Sequence, residues 1–387
     1  MSAPVLLVGN YPADAQESML RFGRMLLDGL RARGREVSLL APASRFGGRP
    51  GQPTHSGAGK WLAYADKYGE FPLTLRRRVG TLPTGAVVHV CDHSNATYAP
   101  AGASAGHRVL VTCHDMGAVR GALGEPTDCP ASATGKVLQR WIRRSLGRAD
   151  VIACDSTATR DDVARLVRRP DGTAPDARTV FIGLNVPYRP IDPAEADARL
   201  AGLNVGEEFA LNVGSSLRRK NRDGVLRVFS RAARGWPAGK MVFAGEALPP
   251  ESRALAASLG VADRVVEIVK PSDSVLEALY NRARALLFPS RFEGFGWPVV
   301  EAQACGCPVL CSDAGSLGEV AGEGAFVRAA ADEEAFAGEL ARLVADGAAR
   351  AQWAERGHRN AARFTAAAML DHYERLYDEL AARPPRR

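Results

Sequence analysis

The sequence lacks any long apolar run. Its hydrophobic stretches stop well short of the roughly 20 residues that a membrane-spanning helix needs, which argues against a protein that crosses a bilayer. The 387 residues also contain no compositionally biased tract and no internal repeat of fixed period, so disordered, fibrous and solenoid proteins are excluded. At roughly 100 to 200 residues per domain, this length predicts two or three domains, each with its own core.

The number and spacing of the cysteines do not predict a disulfide framework. The chain has seven cysteines, an odd number, and the close pair Cys305 and Cys307 has no second pair with which to complete a zinc site. The apolar segment Val5–Val8 follows the first residues without a basic leader, so we expect no secretory signal. Together these features predict a cytoplasmic protein with free thiols.

Positive charge is unevenly distributed along the chain. The net charge is +7, and residues 1–185 hold 24 Lys and Arg against 16 Asp and Glu, whereas the remainder holds 26 against 27. Basic groups cluster at residues 76–78, 140–148 and 165–169. Such clusters attract an anionic membrane surface or an anionic substrate, but they also occur as solvated helix faces, and both interpretations stay open. No nucleic-acid partner is expected, because no nucleic-acid motif accompanies the clusters.

Short aliphatic runs alternate with longer amphipathic segments, a pattern typical of β-α units and parallel sheets. In the first half, strands are predicted at Val5–Val8, Glu36–Leu40, Ala86–Val90, Val109–Cys113, Val151–Cys154 and Thr179–Ile182. In the second half they are predicted at Phe209–Val213, Met241–Ala244, Val265–Ile268, Ala285–Phe288, Pro308–Cys311 and Ala325–Val327. A helix is predicted from Ser18 to Arg33, ended by Gly34. The pattern therefore predicts an α/β fold with two doubly wound parallel sheets.

A proline-rich stretch from Pro187 to Pro193 separates the two series of strands and is typical of a linker. We place the domain boundary there, with one Rossmann-like domain over residues 1–185 and another over residues 186–360, their strand ends facing a shared cleft. Residues from about 346 to 382 contain no further strand. Their apolar stripe at helical spacing predicts packing and consists of Phe364, Met369, Leu370, Tyr373, Leu376, Tyr377 and Leu380.

A glycine-containing loop in the second half leads from a strand into a helix that is predicted to open at Pro298. The free amides at such a helix mouth can cradle a phosphate, and here they belong to Gly294, Phe295, Gly296 and Trp297. Glu293 lies in the loop, and Glu301 lies one turn inside the helix, where a carboxylate can accept hydrogen bonds from vicinal hydroxyls. The alternative is that both are ordinary surface acids favoured by the helix dipole.

The full string S-R-F-E-G-F-G-W-P-V-V-E-A-Q-A-C-G-C-P-V, from Ser290 to Val309, with its E-x7-E spacing, resembles the signature of the retaining, nucleotide-sugar-dependent glycosyltransferases of family 4, which have the GT-B fold. The segment from Gly214 to Asn221 resembles the family's glycine, short loop, Lys-Asn and helix pattern. The family often has an arginine directly after the glycine. This chain has Ser215 and Ser216 there, and Arg219 or Arg218 would supply the missing charge.

The resemblance implies a role for each matching residue. Glu293 would contact hydroxyls of the transferred sugar as a catalytic residue, and Glu301 would bind the nucleotide ribose. The diphosphate would be held by the loop amides, Lys220 and the residues near Gly214. The segment ending in Val269 and Lys270 resembles the one whose backbone contacts the base. The resemblance also implies that the domain over 1–185 binds the acceptor, that the domain over 186–360 binds the donor, and that a helix within residues 361–387 packs back on the first domain.

The first half offers weaker site candidates. His114 follows the strand Val109–Cys113 and resembles the strand-end histidine that many of these enzymes direct at the cleft, so the resemblance implies that it is a catalytic residue. The alternative is a structural histidine. Asp115 and His93 also follow strands and are predicted near the acceptor. Gly9 lies where many relatives carry a Gly-Gly pair, which this chain lacks.

The predicted function is therefore transfer of a hexosyl group from a nucleotide-diphosphate sugar, GDP- or UDP-linked, to an acceptor hydroxyl with retention, in bacterial polysaccharide or glycoconjugate synthesis. The chain contains no D-x-D motif, so metal-independent transfer without a further cofactor is expected. The acceptor would be a sugar, a lipid-linked glycan or a small molecule, with peripheral contact to the cytoplasmic face of an anionic membrane. A nucleotide-sugar epimerase or sugar phosphorylase on the same architecture is the alternative.

Overall fold

The structure is a computed structural model that describes residues 3–48 and 57–384. The chain forms two compact units: residues up to Asn185 together with those from Ala366 onward, and Val186–Thr365. Each unit is built on a parallel sheet covered by helices. Among the helices in the described ranges, none has the length and apolar character needed to cross a membrane.

The first unit's sheet consists, within the described residues, of six parallel strands. They are β1 (Val5–Val8), β2 (Val37–Leu40), β3 (Val87–Val90), β4 (Arg108–Cys113), β5 (Val151–Cys154) and β6 (Ala177–Thr179). Their spatial order is β2-β1-β3-β4-β5-β6. Every residue of β1, β3 and β5 is buried, because a parallel sheet is covered by helices on both faces. The chain reverses its winding direction between β1 and β3, and ligands of such sheets bind at the carboxyl edge near that point.

The helices of this part of the chain are α1 (Glu17–Ala32), α2 (Gly57–Tyr64), α3 (Phe71–Val79), α4 (Ala99–Ser104), α5 (Gly117–Ala122), α6 (Ala133–Leu146) and α7 (Thr157–Leu166). A π-helical segment, Ala65–Glu70, joins α2 to α3, and the 3-10 turns Pro12–Asp14 and His93–Tyr98 follow β1 and β3. The predicted stop of α1 is confirmed, because Gly34 takes the left-handed φ of +77° just beyond the helix.

The second unit's sheet also consists, in the described part, of six parallel strands: β7 (Phe209–Gly214), β8 (Lys240–Gly245), β9 (Val265–Val269), β10 (Leu286–Phe288), β11 (Val309–Ser312) and β12 (Phe326–Arg328). Their order is β12-β11-β10-β7-β8-β9. The helices are α8 (Pro193–Leu200), α9 (Arg222–Ala232), α10 (Pro250–Ser258), α11 (Asp273–Arg282), α12 (Trp297–Ala304), α13 (Leu317–Ala321), α14 (Glu333–Ala345) and α15 (Gly347–Ala361). Because β7 and β10 are neighbours, the loops that follow them leave the same sheet edge together.

The predicted strands agree with the structure to within about two residues at their ends, except for Thr179–Ile182. The observed strand there, β6, covers Ala177–Thr179. Its partner β5 ends at Cys154, whose carbonyl accepts the amide of Val180 at 2.7 Å. Beyond that bond β5 provides no further strand residue to pair with, so residues 180–182 leave the sheet.

The last helix, α16 (Ala366–Ala382), belongs to the first unit and buries most of the predicted stripe. Its buried face consists of Met369, Leu370, Tyr373, Leu376, Tyr377 and Leu380. Phe364, which the helical spacing also placed in the stripe, lies before the helix in the second unit. Its ring contacts Phe295 with a centroid distance of 5.5 Å. The helical pattern therefore extended one turn too far, because residues 362–365 form no helix.

A buried polar network fixes α16 against the first sheet. His89 in β3 is fully buried, and its Nδ1 lies 2.8 Å from the hydroxyl of Tyr377. Its Nε2 lies 2.8 Å from the hydroxyl of Thr112, which in turn lies 2.8 Å from that of Tyr373. Burial lowers the pKa of His89 to about 3, so the ring is neutral and one nitrogen accepts while the other donates. Tyr377 and Tyr373 of α16 thus each have a specific polar partner in the sheet, His89 and Thr112 respectively.

Replacing Tyr377 by Phe is expected to leave one nitrogen of His89 buried without a partner. The expected loss is about 1–3 kcal/mol in the free energy of unfolding, measured by chemical denaturation. Tyr64→Phe is the matched control, because the Tyr64 hydroxyl makes no hydrogen bond within the described residues, and it should change stability by less than about 0.5 kcal/mol. Equal effects of the two substitutions would contradict a role for the network.

Candidate active site

Most of the predicted donor residues lie on two loops at the carboxyl edge of the second sheet. One loop follows β7 and contains the 3-10 turn Arg218–Lys220; the other follows β10 and leads into α12. The amide of Arg291 donates to the carbonyl of Arg219 at 2.7 Å, and Asn221 Nδ2 donates to the carbonyl of Pro289 at 2.9 Å. These bonds join the two loops into one structure, although they are about 70 residues apart in the sequence.

The carboxylate of Glu293 is held between two cations. Glu293 is only 5% exposed; Lys220 Nζ lies 2.7 Å from its Oε1, and Arg219 Nη1 lies 2.7 Å from its Oε2. Burial alone would raise the pKa of Glu293, but the charges of Lys220 and Arg219 hold it below its ordinary value. Burial also lowers the pKa of Lys220. The three groups form an ion triad with an excess of one positive charge when all are ionised.

The backbone around Glu293 is fixed by the turn that follows β11. The Ser316 hydroxyl donates to the carbonyls of Glu293 at 3.1 Å and Phe295 at 2.9 Å, and the Ser316 amide also donates to Glu293. Gly315 has a φ of +66°, and a Cβ there would lie 2.3 Å from the Glu293 carbonyl oxygen, so only glycine fits. Sequence analysis did not identify Ser316 or Gly315. Their only local signal is a run of small residues directly after a strand.

The mouth of α12 has the features of an anion site. The helix begins at Trp297, one residue earlier than the predicted start at Pro298, because Gly296 ends the loop with a φ of +101°. Among the described residues, the amides of Gly294, Phe295 and Gly296 have no protein acceptor. Free amides at a helix N-terminus attract phosphate groups. This arrangement lies directly beside the ion triad in sequence and supplies further hydrogen-bond donors.

Glu301 is 6% exposed and accepts a hydrogen bond from the hydroxyl of Tyr280 at 2.8 Å. Burial, together with the charge of Glu301, raises the pKa of Tyr280 well above its ordinary value, so Tyr280 stays a donor. The burial of Glu293 and Glu301 is inconsistent with the alternative that they are ordinary surface acids. Tyr280 in α11 was not predicted, because nothing near it in the sequence indicates which carboxylate it meets.

Gly214 and its loop are held by an arginine that sequence analysis missed. The buried guanidinium of Arg222 donates to the carbonyls of Gly214 and Glu246 at 2.5 and 2.7 Å and to the Ser216 hydroxyl at 2.9 Å. Burial lowers the pKa of Arg222. Ser215 is half-buried in the same loop. Arg222 therefore provides a positive charge near the position where the family often has an arginine, but from the first turn of α9.

Val269, predicted near the nucleotide base, ends β9 with an exposed side chain. The next residue, Lys270, has a φ of +49°, and its amide donates to the carbonyl of Gly245 at 2.8 Å. This turn lies at the same carboxyl edge as the loop after β7, because Gly245 ends the neighbouring strand β8. Val269 therefore lies at the same edge of the sheet as Gly214 and Lys220.

In the first unit, His114 is bound on both ring nitrogens. Nδ1 lies 2.8 Å from Asp155 Oδ2, and Nε2 lies 3.0 Å from the carbonyl oxygen of Cys91. Both partners are acceptors, so both nitrogens must carry protons. Burial alone would lower the pKa of His114, but the charge of Asp155 raises it to about 9. In this arrangement the ring is a buried cation without a nitrogen left for a substrate, and it ties together the ends of β3, β4 and β5.

The residues predicted near the acceptor share that edge. Asp115 Oδ1 accepts the amide of Gly117 at 2.8 Å, and the amide of Gly9 donates to the carbonyl of Leu40 at 2.9 Å. His93 Nδ1 lies 3.2 Å from Asp92 Oδ1. The buried Asp92 was not predicted; its Oδ2 also accepts Asn10 Nδ2 at 2.5 Å. Asp92 shows no signal in the sequence beyond its position after a strand.

Comparison with known proteins identifies the family of the chain. The family model described as "Glycosyl transferase 4-like domain" matches residues 21–185, and "Glycosyl transferases group 1" matches residues 194–360, so the two together cover most of the chain. The chain belongs to the group 1 glycosyl transferases. The family identified from the E-x7-E string is therefore confirmed.

Curated relatives are similar over part of their length. O-antigen chain mannosyltransferase B of Escherichia coli is 27% identical over 278 residues, which is 67% of each chain. A D-inositol 3-phosphate glycosyltransferase of Rhodococcus erythropolis is 30% identical over 281 residues, which is 68% of this chain and 62% of that protein. The chain thus spans about two thirds or less of the length of these two relatives.

Solved structures confirm the two-domain GT-B fold. Sucrose-phosphate synthase from Thermosynechococcus elongatus superimposes with a TM-score of 0.74 at 22% identity, covering 98% of this chain and 99% of that one. Anabaena HepE in complex with UDP-glucose superimposes with a TM-score of 0.70 at 15% identity, covering 97% and 99%. At such low identity the likeness establishes the fold and nothing finer.

The His114–Asp155 pair predicts a pH dependence of stability. A histidine whose folded pKa is raised stabilises the fold below its unfolded pKa of about 6.5 and loses that contribution as the pH rises through about 9. Wild type should therefore lose up to about 3 kcal/mol of unfolding free energy across this interval relative to His114→Gln. The measurement is chemical denaturation at several pH values, with the exposed His358→Gln as control. Parallel pH profiles for wild type and His114→Gln would contradict the ion pair.

Proposed function

We propose that the chain transfers a hexosyl group from a nucleotide-diphosphate sugar to an acceptor hydroxyl with retention of anomeric configuration. The observation that carries this proposal is the ion triad of Lys220, Arg219 and the buried Glu293 beside the mouth of α12. A carboxylate in that position can accept sugar hydroxyls, while the two cations and the free amides can hold a diphosphate. The family membership makes glycosyl transfer the reaction that such a site would perform.

The donor would occupy the carboxyl edge of the second sheet. Lys220, Arg219 and the amides of Gly294 to Trp297 would bind the diphosphate, and Glu301 would accept hydrogen bonds from the ribose hydroxyls. The loop at Gly214 and Ser215, held by Arg222, would lie against the phosphates, with the turn at Val269 near the base. Binding the diphosphate requires Lys220 and Arg219 to share their hydrogen bonds between the phosphates and Glu293. Both cations can do so, because each carries several N–H donors.

During transfer, the bond between the anomeric carbon and the phosphate oxygen breaks, and the acceptor oxygen forms a new bond to that carbon on the same face. The acceptor proton passes to the oxygen of the leaving phosphate. Negative charge develops on the diphosphate as the bond breaks, and preorganised cations and amides stabilise it at no cost of reorganisation. Glu293 orients the transferred sugar and stabilises positive charge at the anomeric carbon.

For the donor we propose a UDP- or GDP-linked hexose. HepE, a neighbour in structure, was solved with UDP-glucose, and the Escherichia coli relative is a mannosyltransferase. For the acceptor we propose a sugar, a lipid-linked glycan or a small molecule, bound by the first unit near Gly9, His93 and Asp115. There we assign His114 a positioning role, because both of its nitrogens are engaged by Asp155 and Cys91. In this proposal the enzyme works in polysaccharide or glycoconjugate synthesis in the cytoplasm.

Glu293→Gln is expected to lower kcat by about 10²-fold or more while leaving nucleotide affinity unchanged or tighter. The substitution removes the negative charge that faces the sugar, and it frees Lys220 and Arg219 to bind the diphosphate. Turnover with a panel of UDP- and GDP-hexoses gives kcat, and calorimetry with UDP and GDP gives the dissociation constant. Glu251→Gln, on an exposed helix of the same unit, is the matched control and should alter neither. Equal losses of turnover and nucleotide affinity would refute the assigned role of Glu293.

We also propose that transfer needs no metal ion, because Lys220, Arg219 and the helix mouth can supply the positive charge. Within the described residues, no group of three or more His, Cys, Asp or Glu side chains is arranged to hold a metal. Excess EDTA should therefore leave the rate of transfer unchanged. If EDTA abolished transfer and Mg²⁺ or Mn²⁺ restored it, the cations of this site would be insufficient and the proposal would fail.

A further inference from the structure

The first unit carries a row of aromatic rings on its surface. Trp61 contacts Tyr64, Tyr64 contacts Tyr68, and Tyr68 contacts Trp141, with centroid distances of 5.8, 5.3 and 5.5 Å. The row joins α2 and the π-helical segment to α6. Trp61 is 64% exposed and Trp141 is 45% exposed. Two tryptophans this exposed within one contact network form an apolar feature that folding alone does not explain.

Aliphatic side chains extend this feature. Leu62, beside Trp61 in the sequence, is 46% exposed. Val137, 64% exposed, lies one helical turn before Trp141 and therefore on the same face of α6. We name Trp61, Leu62, Val137 and Trp141 the aromatic patch. Its members come from two elements that are more than 70 residues apart, so no single run of sequence shows it.

The helix that carries Val137 and Trp141 also carries cations that form no ion pair within the described residues. Helix α6 contains Lys136, Arg140, Arg143 and Arg144 and no acidic residue. In the described part of the chain none of these four makes an ion pair, although many arginines elsewhere do, such as those at 120, 165 and 178. On the α2 side, Lys60 Nζ lies 5.5 Å from the centroid of the Tyr64 ring.

The carboxylate of Asp66, which lies between Tyr64 and Tyr68 in sequence, does not neutralise this surface. It is completely buried and accepts the Tyr11 hydroxyl at 2.8 Å and the amides of Phe46 and Gly47 at 3.0 and 2.8 Å. Asp66 therefore adds no exposed negative charge beside the aromatic patch.

We propose that the aromatic patch and its cations dock on the surface of an anionic lipid bilayer. Tryptophan side chains favour the headgroup level of a membrane, and unpaired Lys and Arg are attracted to anionic lipid phosphates. A single-stranded nucleic acid fits less well, because base stacking needs open ring faces. Here Tyr64 and Tyr68 each contact two other rings, at interplanar angles of 79°, 81° and 46°, so neither tyrosine is an isolated stacking platform. This inference does not depend on the proposed catalytic activity.

The full chain should co-sediment with phosphatidylcholine vesicles that contain phosphatidylglycerol and not with vesicles of phosphatidylcholine alone. Tryptophan emission should shift to shorter wavelength on binding, because Trp61 and Trp141 would enter a less polar environment. Binding should weaken as salt is added, since the cationic contribution is screened.

Two pairs of substitutions separate the contributions. Lys136→Glu with Arg140→Glu should weaken binding by about tenfold or more. Trp61→Ser with Trp141→Ser should abolish the spectral shift and weaken the binding that persists in salt. The control is the double substitution Arg24→Glu with Arg31→Glu on α1, the helix that packs against α16. This substitution makes the same change in net charge. It should bind as wild type, and melting temperatures of all variants should be equal within a few degrees.

The proposal is overturned if wild type fails to bind anionic vesicles or binds neutral ones equally well. It is also overturned if the α6 and α1 charge variants lose affinity to the same extent, since binding would then depend only on net charge. Tighter binding to single-stranded DNA than to anionic vesicles, without a tryptophan shift, would assign the surface to nucleic acid instead.

Discussion

The candidate site depends on the burial of one carboxylate between two cations. An isolated carboxylate as buried as that of Glu293 would be protonated, because desolvation strongly disfavours its charge. Lys220 and Arg219 keep it ionised, and they reach it because the loops after β7 and β10 are joined by backbone and side-chain hydrogen bonds. Removing Glu293 would leave Lys220 and Arg219 as neighbouring cations without their counter-charge. The triad therefore links the conformation of the two loops to the charge at this edge of the sheet.

The first unit also has a buried charge pair at the carboxyl edge of its own sheet. The imidazolium of His114 and the carboxylate of Asp155 form a buried ion pair, and the carbonyl of Cys91 completes the hydrogen bonding of the ring. Such a pair is costly to desolvate, so both members depend on good geometry and on the further hydrogen bond to the ring. Because His114, Asp155 and Cys91 follow three neighbouring strands, the pair sets the relative positions of the loops that extend beyond the sheet.

Whether a feature was predicted from the sequence depends on how far apart in the sequence its interacting residues lie. Strands were predicted because a run of apolar residues is a local property, and the error at Thr179–Ile182 arose where the strand's end depends on the length of its partner. The E-x7-E string was recognised because a helix mouth brings its residues together locally. Arg222, Ser316 and Asp92 act through contacts whose partners lie in other strands and loops. Their residue types carry no signal until the strand order is known, and the same holds for the partner that places Tyr280 on Glu301.

The net charge of each half of the sequence does not show which of its cations are paired with a carboxylate in the structure. Many arginines of both units are compensated by a nearby carboxylate, as Arg178 is by Glu379 and Arg227 by Glu333, so they add little to the external field. The cations of α6 have no such partner in the described residues, and they lie on a helix that has no acid of its own. Their field adds up instead of cancelling. Part of the excess of positive charge in residues 1–185 therefore lies on α6, the helix that also exposes Trp141.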